Sequence, residues 1–192
     1  MFGIAIASII PMRETFAHQS EMVSQILFGE TLRIMEQSGN WLHVMLDFDG
    51  TKGWIVAELC YRLTFEEYEK ILNSPRTIFD SITELIVNND IHPLRVMMGG
   101  EFYHNTEFSN KMQIGNRQFF IKQRINIPMR GNTRHSVVNK ALQYKYTPYL
   151  WGGRSINGID CSAFTQMVFK QNAITLPREV EEQFAVGRIV NQ

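Results

Sequence analysis

Three turn signals fall within the first fifty residues: Gly29-Glu30, Ser38-Gly39-Asn40 and Asp47-Phe-Asp-Gly50. They cut an apolar stretch into runs too short for helices and of the right length for strands. The runs are 3–10, 25–28, 31–36, 41–46 and 53–56. Short strands at this spacing predict a small barrel, and residues 1–62 read as one. Trp41 and Trp54 bracket the Asp-Gly turn, as the two arms of a hairpin would place them. Both read as packing residues, and so does Trp151. The run 2–10 imitates a secretory leader, but no Lys or Arg precedes Arg13 and no small-residue cleavage site follows. It reads as a buried first strand ending at Pro11.

The periodicity then changes. Residues 65–72 read as a helix, opened by Thr64 with Glu67 three positions on, which fits a capping box. Asn73-Ser-Pro75 stops it. Residues 63–75 are thus expected to link two units. The next unit, 76–128, is β-rich again, with strands expected at 82–87, 94–98 and 118–122. Asn88-Asn-Asp90 and Gly99-Gly100 are its turns. The last unit, 129–192, changes to helical spacing at 135–144 and 161–170, and a further helical stretch is expected at 179–184.

Composition excludes several functions. Nineteen Lys and Arg balance nineteen Asp and Glu, so the formal net charge is zero and no basic footprint for nucleic acid or anionic membrane exists. No apolar run approaches the ~20 residues of a spanning helix. Cys60 and Cys161 are the only cysteines. Two distant cysteines make no disulfide framework and suit a reducing cytosol. No cofactor or metal is expected.

Cys161 carries the chemistry. A lone cysteine is ordinarily a small buried hydrophobe. Against that, Gly152, Gly153 and Gly158 form a flexible approach, and Asp160 is a natural N-cap that sets Cys161 at the first helical position. A helix N-terminus carries partial positive charge and free N–H groups. Such a field favours a thiolate, the attacking species in acyl transfer, and the N–H groups can receive an oxyanion. The residues alone leave the two readings balanced.

Thr147-Pro-Tyr-Leu-Trp-Gly-Gly-Arg154, Gly158-Ile-Asp-Cys-Ser-Ala-Phe164 and Leu176-Pro-Arg178 resemble the NlpC-type cysteine peptidases. Order, spacing and residue type agree over about thirty positions. Pro11-Met-Arg-Glu14, Ser20-Glu-Met22, Gly29-Glu30 and Gly53-Trp54 resemble a bacterial SH3-like domain. The resemblance implies a multidomain chain: SH3-like small β-barrels, with 76–128 as a second one, followed by the mostly helical first part of an α+β papain-like peptidase domain. It implies a cytoplasmic enzyme that cleaves γ-D-glutamyl-diamino acid bonds in cell-wall peptides with a free N-terminal L-alanine. Cys161 would be the nucleophile and form a thioester. Asp160 and Ser162 would hold the substrate's α-amine, with Glu21 a second anion at the end of the groove. Ala163 stands where the family usually has Gly, and Thr51-Lys52 where members often carry a Tyr.

The resemblance also implies a general-base histidine on a strand some fifty residues past the cysteine. His18, His43, His92, His104 and His135 all precede Cys161. The chain is therefore expected to be truncated and weak alone, or completed by a C-terminal complement chain. The alternative is a non-catalytic module that binds cell-wall peptides and carries a vestigial peptidase stub.

Overall fold

The computed structural model describes residues 1–88, 90–105, 110–122 and 134–188. Seven strands come first: β1 (Phe2–Ala5), β2 (Ile9–Arg13), β3 (Met22–Leu27), β4 (Thr31–Ser38), β5 (Trp41–Leu46), β6 (Lys52–Val56) and β7 (Cys60–Leu63). They form one sheet in the order β3-β2-β6-β5-β4-β1-β7, with antiparallel neighbours throughout. Strand alternation explains its core. Leu42, Val44 and Leu46 of β5 are buried while Trp41, His43 and Met45 between them are only partly so. Ile10, Met12, Ile26, Leu32, Ile34 and Ile55 close over them.

The expected single strand at 3–10 is two strands. β1 pairs with β4 and β7, whereas β2 pairs with β3 and β6. The chain must leave one part of the sheet and rejoin it four positions away, so the run breaks at residues 6–8. The two tryptophans do lie on paired strands, but Trp54 faces His43 and Trp41 faces Val56.

Helix α1 (Phe65–Leu72) follows, and its capping box is formed. Thr64 Oγ1 accepts from the Glu67 N–H, and Glu67 accepts from the Thr64 N–H. Tyr68 and Ile71 bury the inner face. They join Ile4, Phe28 and Leu63 of the first sheet to Phe79, Phe102 and Phe119 beyond the helix. The helix thus links two units by sharing one core with both.

Strands β8 (Arg76–Ile78), β9 (Thr83–Val87), β10 (Leu94–Val96), β11 (Glu101–Tyr103), β12 (Lys111–Ile114) and β13 (Arg117–Ile121) form a four-stranded sheet, β10-β9-β13-β12, and a separate β8–β11 pair. The expected boundary at 128/129 and the middle residue of the Asn88-Asn-Asp90 turn lie outside the described residues. The last part holds α2 (Arg134–Gln143), a hairpin of β14 (Arg154–Ser155) and β15 (Gly158–Ile159), α3 (Cys161–Lys170) and α4 (Val180–Val186). Ala163, Met167 and Val168 of α3 share a core with Leu27 of the first sheet, Met98, Tyr144 and Ile159.

A buried ion cluster joins all three parts. Gly29, at φ +80°, lies so close to the Glu101 backbone that a Cβ would collide with its carbonyl. This brings two carboxylates together. Glu30, 1% exposed, receives Arg154 Nη2 at 2.9 Å, Arg154 Nη1 at 3.1 Å and Lys170 Nζ at 2.5 Å. Lys170 Nζ reaches Glu101 at 2.9 Å, and Arg76 and the Tyr103 hydroxyl donate to the other Glu101 oxygen. Both buried cations also lie over the Phe48 ring. Burial opposes the Glu30 charge, but Arg154 and Lys170 outweigh it and hold its carboxyl down to about 2.

Glu30→Gln should therefore destabilise the fold by about 3–5 kcal/mol at neutral pH, because it leaves buried cations short of a counter-charge. Urea unfolding measures this. Because the folded Glu30 carboxyl lies below its ordinary 4.5, its contribution is present above that value and fades as pH falls toward about 2. The acid-sensitive part of stability in that window should be smaller in Glu30→Gln than in the wild type.

Candidate active site

Residues 147–160 double back on themselves before α3. Leu150 N–H donates to the Ile159 carbonyl at 3.2 Å, Ile159 N–H to Pro148 at 3.1 Å and Asp160 N–H to Gly153 at 3.2 Å. Gly152 sits at φ +73°, and a Cβ there would collide with the Met22 carbonyl of β3. The glycine lets the loop lie directly on the first sheet. Arg154 then enters the ion cluster, its N–H donating to Gln25 Oε1 at 2.8 Å and its Nη1 to the Gln25 carbonyl at 2.6 Å.

Asp160 caps α3, as its place before the helix predicts. Its Oδ1 accepts from the Ala163 N–H at 2.8 Å and from the Ser162 hydroxyl at 3.1 Å. Its Oδ2 accepts from the Gly152 N–H at 3.0 Å. Arg178 grips both oxygens, Nη1 to Oδ1 at 3.1 Å and Nη2 to Oδ2. Arg178 also donates to Ser162 Oγ at 2.6 Å and to Ser24 Oγ of β3 at 3.3 Å. Burial opposes the Asp160 charge. The hydrogen bonds from Arg178 and Ala163, with the Arg178 charge, outweigh it and hold the carboxyl below its ordinary value.

Cys161 is the first residue of α3 and is exposed, with the positive end of the helix behind it. The helix cannot shift easily, because Lys170 fixes its far end and Gln166 donates to Asp49 of the first sheet at 2.8 Å and to the Leu176 carbonyl at 3.1 Å. The structure thus gathers Asp160, Cys161 and Ser162 at one helix start. Glu21, expected at the far end of a groove, accepts from Trp151 Nε1 at 2.6 Å through Oε1. Its Oε2 has no hydrogen-bond partner among the described residues.

Trp151 is not a packing residue: it is 62% exposed and its indole N–H is spent on Glu21. Trp41 and Trp54 are partly buried beside His18 and His43. Arg178 is the main site residue that reading the sequence did not single out. Its motif was visible, but a partnership with Asp160, 18 positions away, leaves no local signal. Among the histidines, His18 packs on Trp41, His43 on Trp54, and His104 is buried against Thr77 Oγ1 at 2.7 Å. Among the described residues, no group of three or more His, Cys, Asp and Glu could hold a metal ion, and no helix is long and apolar enough to cross a membrane.

Residues 146–192 match the model of the NlpC/P60 family, and residues 12–58 match that of the bacterial dipeptidyl-peptidase Sh3 domain. The chain thus pairs a bacterial SH3 segment with an NlpC/P60 segment. It is 25% identical over 183 residues to a gamma-D-glutamyl-L-lysine dipeptidyl-peptidase of Bacillus subtilis, covering 86% of this chain and 58% of that protein. It is 25% identical over 214 residues to dipeptidyl-peptidase 6 of Lysinibacillus sphaericus, covering 98% and 77%. The chain thus spans less than two thirds of the Bacillus subtilis relative. An NlpC/P60 family protein from Bacillus cereus has the same fold, with a TM-score of 0.81 at 17% identity over 100% of this chain and 79% of that one.

The two thiols of this chain differ sharply. Burial pushes Cys60 up to about 12, and its Sγ lies against Gly3. Native protein at pH 7–8 should take one equivalent of maleimide, at Cys161, and a second only after unfolding in guanidinium. Peptide mapping by mass spectrometry reads the site; early labelling of Cys60 would contradict the placement.

Proposed function

We propose that the chain is a cysteine peptidase of the cytoplasm that hydrolyses γ-D-glutamyl-diamino acid bonds in peptidoglycan-derived peptides with a free N-terminal L-alanine. The observation that carries this is the exposed Cys161 at the N-terminus of a fixed, capped helix, preceded by a loop whose Trp151 meets Glu21 of the SH3 segment. The activity for which the Bacillus subtilis relative is named supports the bond type.

The Cys161 sulfur attacks the γ-glutamyl carbonyl and forms a thioester, expelling the diamino acid as its amine takes up a proton. Water then hydrolyses the thioester and regenerates the thiol. The helix N-terminus stabilises the charge that develops on sulfur and on the carbonyl oxygen. Glu21 offers the substrate ammonium a free carboxylate oxygen, and that charge-assisted bond discriminates against blocked amines. Asp160 and Ser162 complete that end of the groove, and both already bond Arg178.

The general base is not assigned to His18, His43 or His104, which are engaged with Trp41, Trp54 and Thr77. A positioned base contributes about 10²–10⁴-fold. Cysteine keeps some reactivity without one, being partly thiolate by itself.

The test uses L-alanyl-γ-D-glutamyl-L-lysine and the same peptide with diaminopimelate, with release of the diamino acid followed by chromatography. Slow release is expected, lost in Cys161→Ala and rising roughly tenfold or more on adding imidazole. The N-acetylated peptide should be spared. Release that ignores Cys161→Ala, or equal cleavage of the acetylated peptide, would refute the reading.

A further inference from the structure

Glu21 sits where an exposed excursion of the chain closes. Strand β2 ends in a register shift between Met12 and Arg13, and residues 14–20 run outward before β3 begins at Met22. Every residue from Glu14 to Gln19 is exposed. A segment with so little buried surface belongs to the least stable part of a fold. A charge-assisted hydrogen bond nevertheless needs its partners at about 2.8 Å. On a loose loop, much of that bond would be lost to the cost of ordering the chain on binding.

The structure orders this loop beforehand. At its base the Glu14 N–H donates to the Glu21 carbonyl at 3.0 Å, the Thr15 N–H to Ser20 Oγ at 2.9 Å and Arg13 Nη1 to the Ser20 carbonyl at 2.9 Å. Further out, two rings land on the first sheet. Phe16 meets Trp54 edge-on with centroids 5.1 Å apart, and His18 lies 4.9 Å from Trp41. Both tryptophans belong to the outer face, since they alternate with the buried Leu42 and Ile55. His43, opposite Trp54 in the β5–β6 pair, stacks on it at 4.9 Å. Phe16 stays 55% exposed and takes no part in the core of the sheet. Its contact therefore holds the loop more than it stabilises the fold.

We propose that Phe16 and His18 are positioning residues for Glu21: seated on Trp54 and Trp41, they hold the 14–20 loop and so set how sharply the chain distinguishes a free substrate amine from a blocked one. Neither ring bonds the Glu21 carboxylate, whose hydrogen bond is to Trp151. Their effect passes through the closure of the loop, by way of Ser20 and the Glu14–Glu21 hydrogen bond. Ordering the loop in advance removes a cost that would otherwise fall on binding. The latch belongs to the first sheet, so it acts on selectivity and leaves the thiol at the start of α3 alone. This rests on the reading of Glu21 as an anion that takes the substrate amine.

The experiment measures binding of L-alanyl-γ-D-glutamyl-L-lysine and of its N-acetyl form by calorimetry, on the whole chain carrying Cys161→Ala so that no peptide is consumed. The ratio of the two affinities is the readout. Glu21→Gln should lower that ratio roughly tenfold or more. Phe16→Ala combined with His18→Ala should lower it roughly fivefold, with the urea midpoint near that of the parent chain. Phe16→Tyr combined with His18→Phe keeps a ring in each place and should restore the ratio. With Cys161 present, alkylation by iodoacetamide should run at the same rate with and without the latch. A ratio unchanged in the double alanine variant would overturn the proposal, and so would an equal loss of affinity for both peptides, which marks general loosening. If the double variant does not fold, Phe16→Ala alone decides on the same ratio. A ratio that Glu21→Gln leaves intact would overturn the reading of Glu21 and this inference with it. A ratio that Glu21→Gln lowers and the latch variants do not would overturn this inference alone.

Discussion

The buried carboxylate of Glu30 is the constraint from which the rest of the arrangement follows. It lies in the turn between β3 and β4, yet its partners are Arg154 from the loop before Cys161 and Lys170 from the end of the helix that Cys161 begins. Lys170 extends the cluster to Glu101, which belongs to the second β-rich part. Glu101 keeps Arg76 of its own part, but Glu30 on one side and Arg154 and Lys170 on the other have no counter-charge within theirs in this cluster. Taking an ion out of water costs several kcal/mol even after relaxation, and only a well-placed partner offsets that. Folding one unit without the others would strand a buried charge. We infer that the cluster selects one mutual arrangement more than it adds net stability, which is the better-attested use of buried ion pairs.

That arrangement makes the site. Lys170 fixes the C-terminal end of α3 and Asp160 caps its N-terminal end, so the helix is held at both termini by charge and along its side by Met167 and Val168. The loop before it is seated on β3 by Gly152 and Arg154. Cys161 is exposed only because everything around it is anchored. A thiol on a loose helix end would sample many directions, and misplacement of a reacting group by about 1 Å can cost two orders of magnitude in rate. The first sheet therefore does more than carry Glu21: it is half of the frame that aims the sulfur.

What could be read in the sequence was local. The capping box at Thr64, the helix 65–72, the strand 41–46 and the helix beginning at Cys161 follow from spacing within a few residues, and each stands where expected. The order of residues around Cys161 sufficed to indicate the family. What could not be read was non-local. The run 3–10 is apolar but for Ser8, and its partners, four strands apart in the sheet, split it in two. Glu30 read as half of a turn and Lys170 as the last residue of a helix, because a lone charge carries no mark of a partner 140 positions away. Trp151 read as packing because tryptophans usually are, and the hydrogen bond that holds it open comes from Glu21, 130 positions earlier. Burial of charge is a property of the assembled fold and has no periodicity to betray it.

In the proposed reading, the described residues separate two duties that peptidases often merge. Glu21, held by Trp151, faces the substrate amine, which is an ammonium before, during and after the reaction. Contacts to it are felt equally in the ground state and the transition state, so they set affinity and selectivity without lowering the chemical barrier. Lowering the barrier falls to the helix field at Cys161 and to an imidazole, the groups that meet charge only as it develops. Arg178 stands between the two, since it reaches the sheet through Ser24 and the start of α3 through Asp160. A bidentate guanidinium suits that place, because it balances a buried charge while leaving the carboxylate oxygens in position to accept the Gly152 and Ala163 N–H groups.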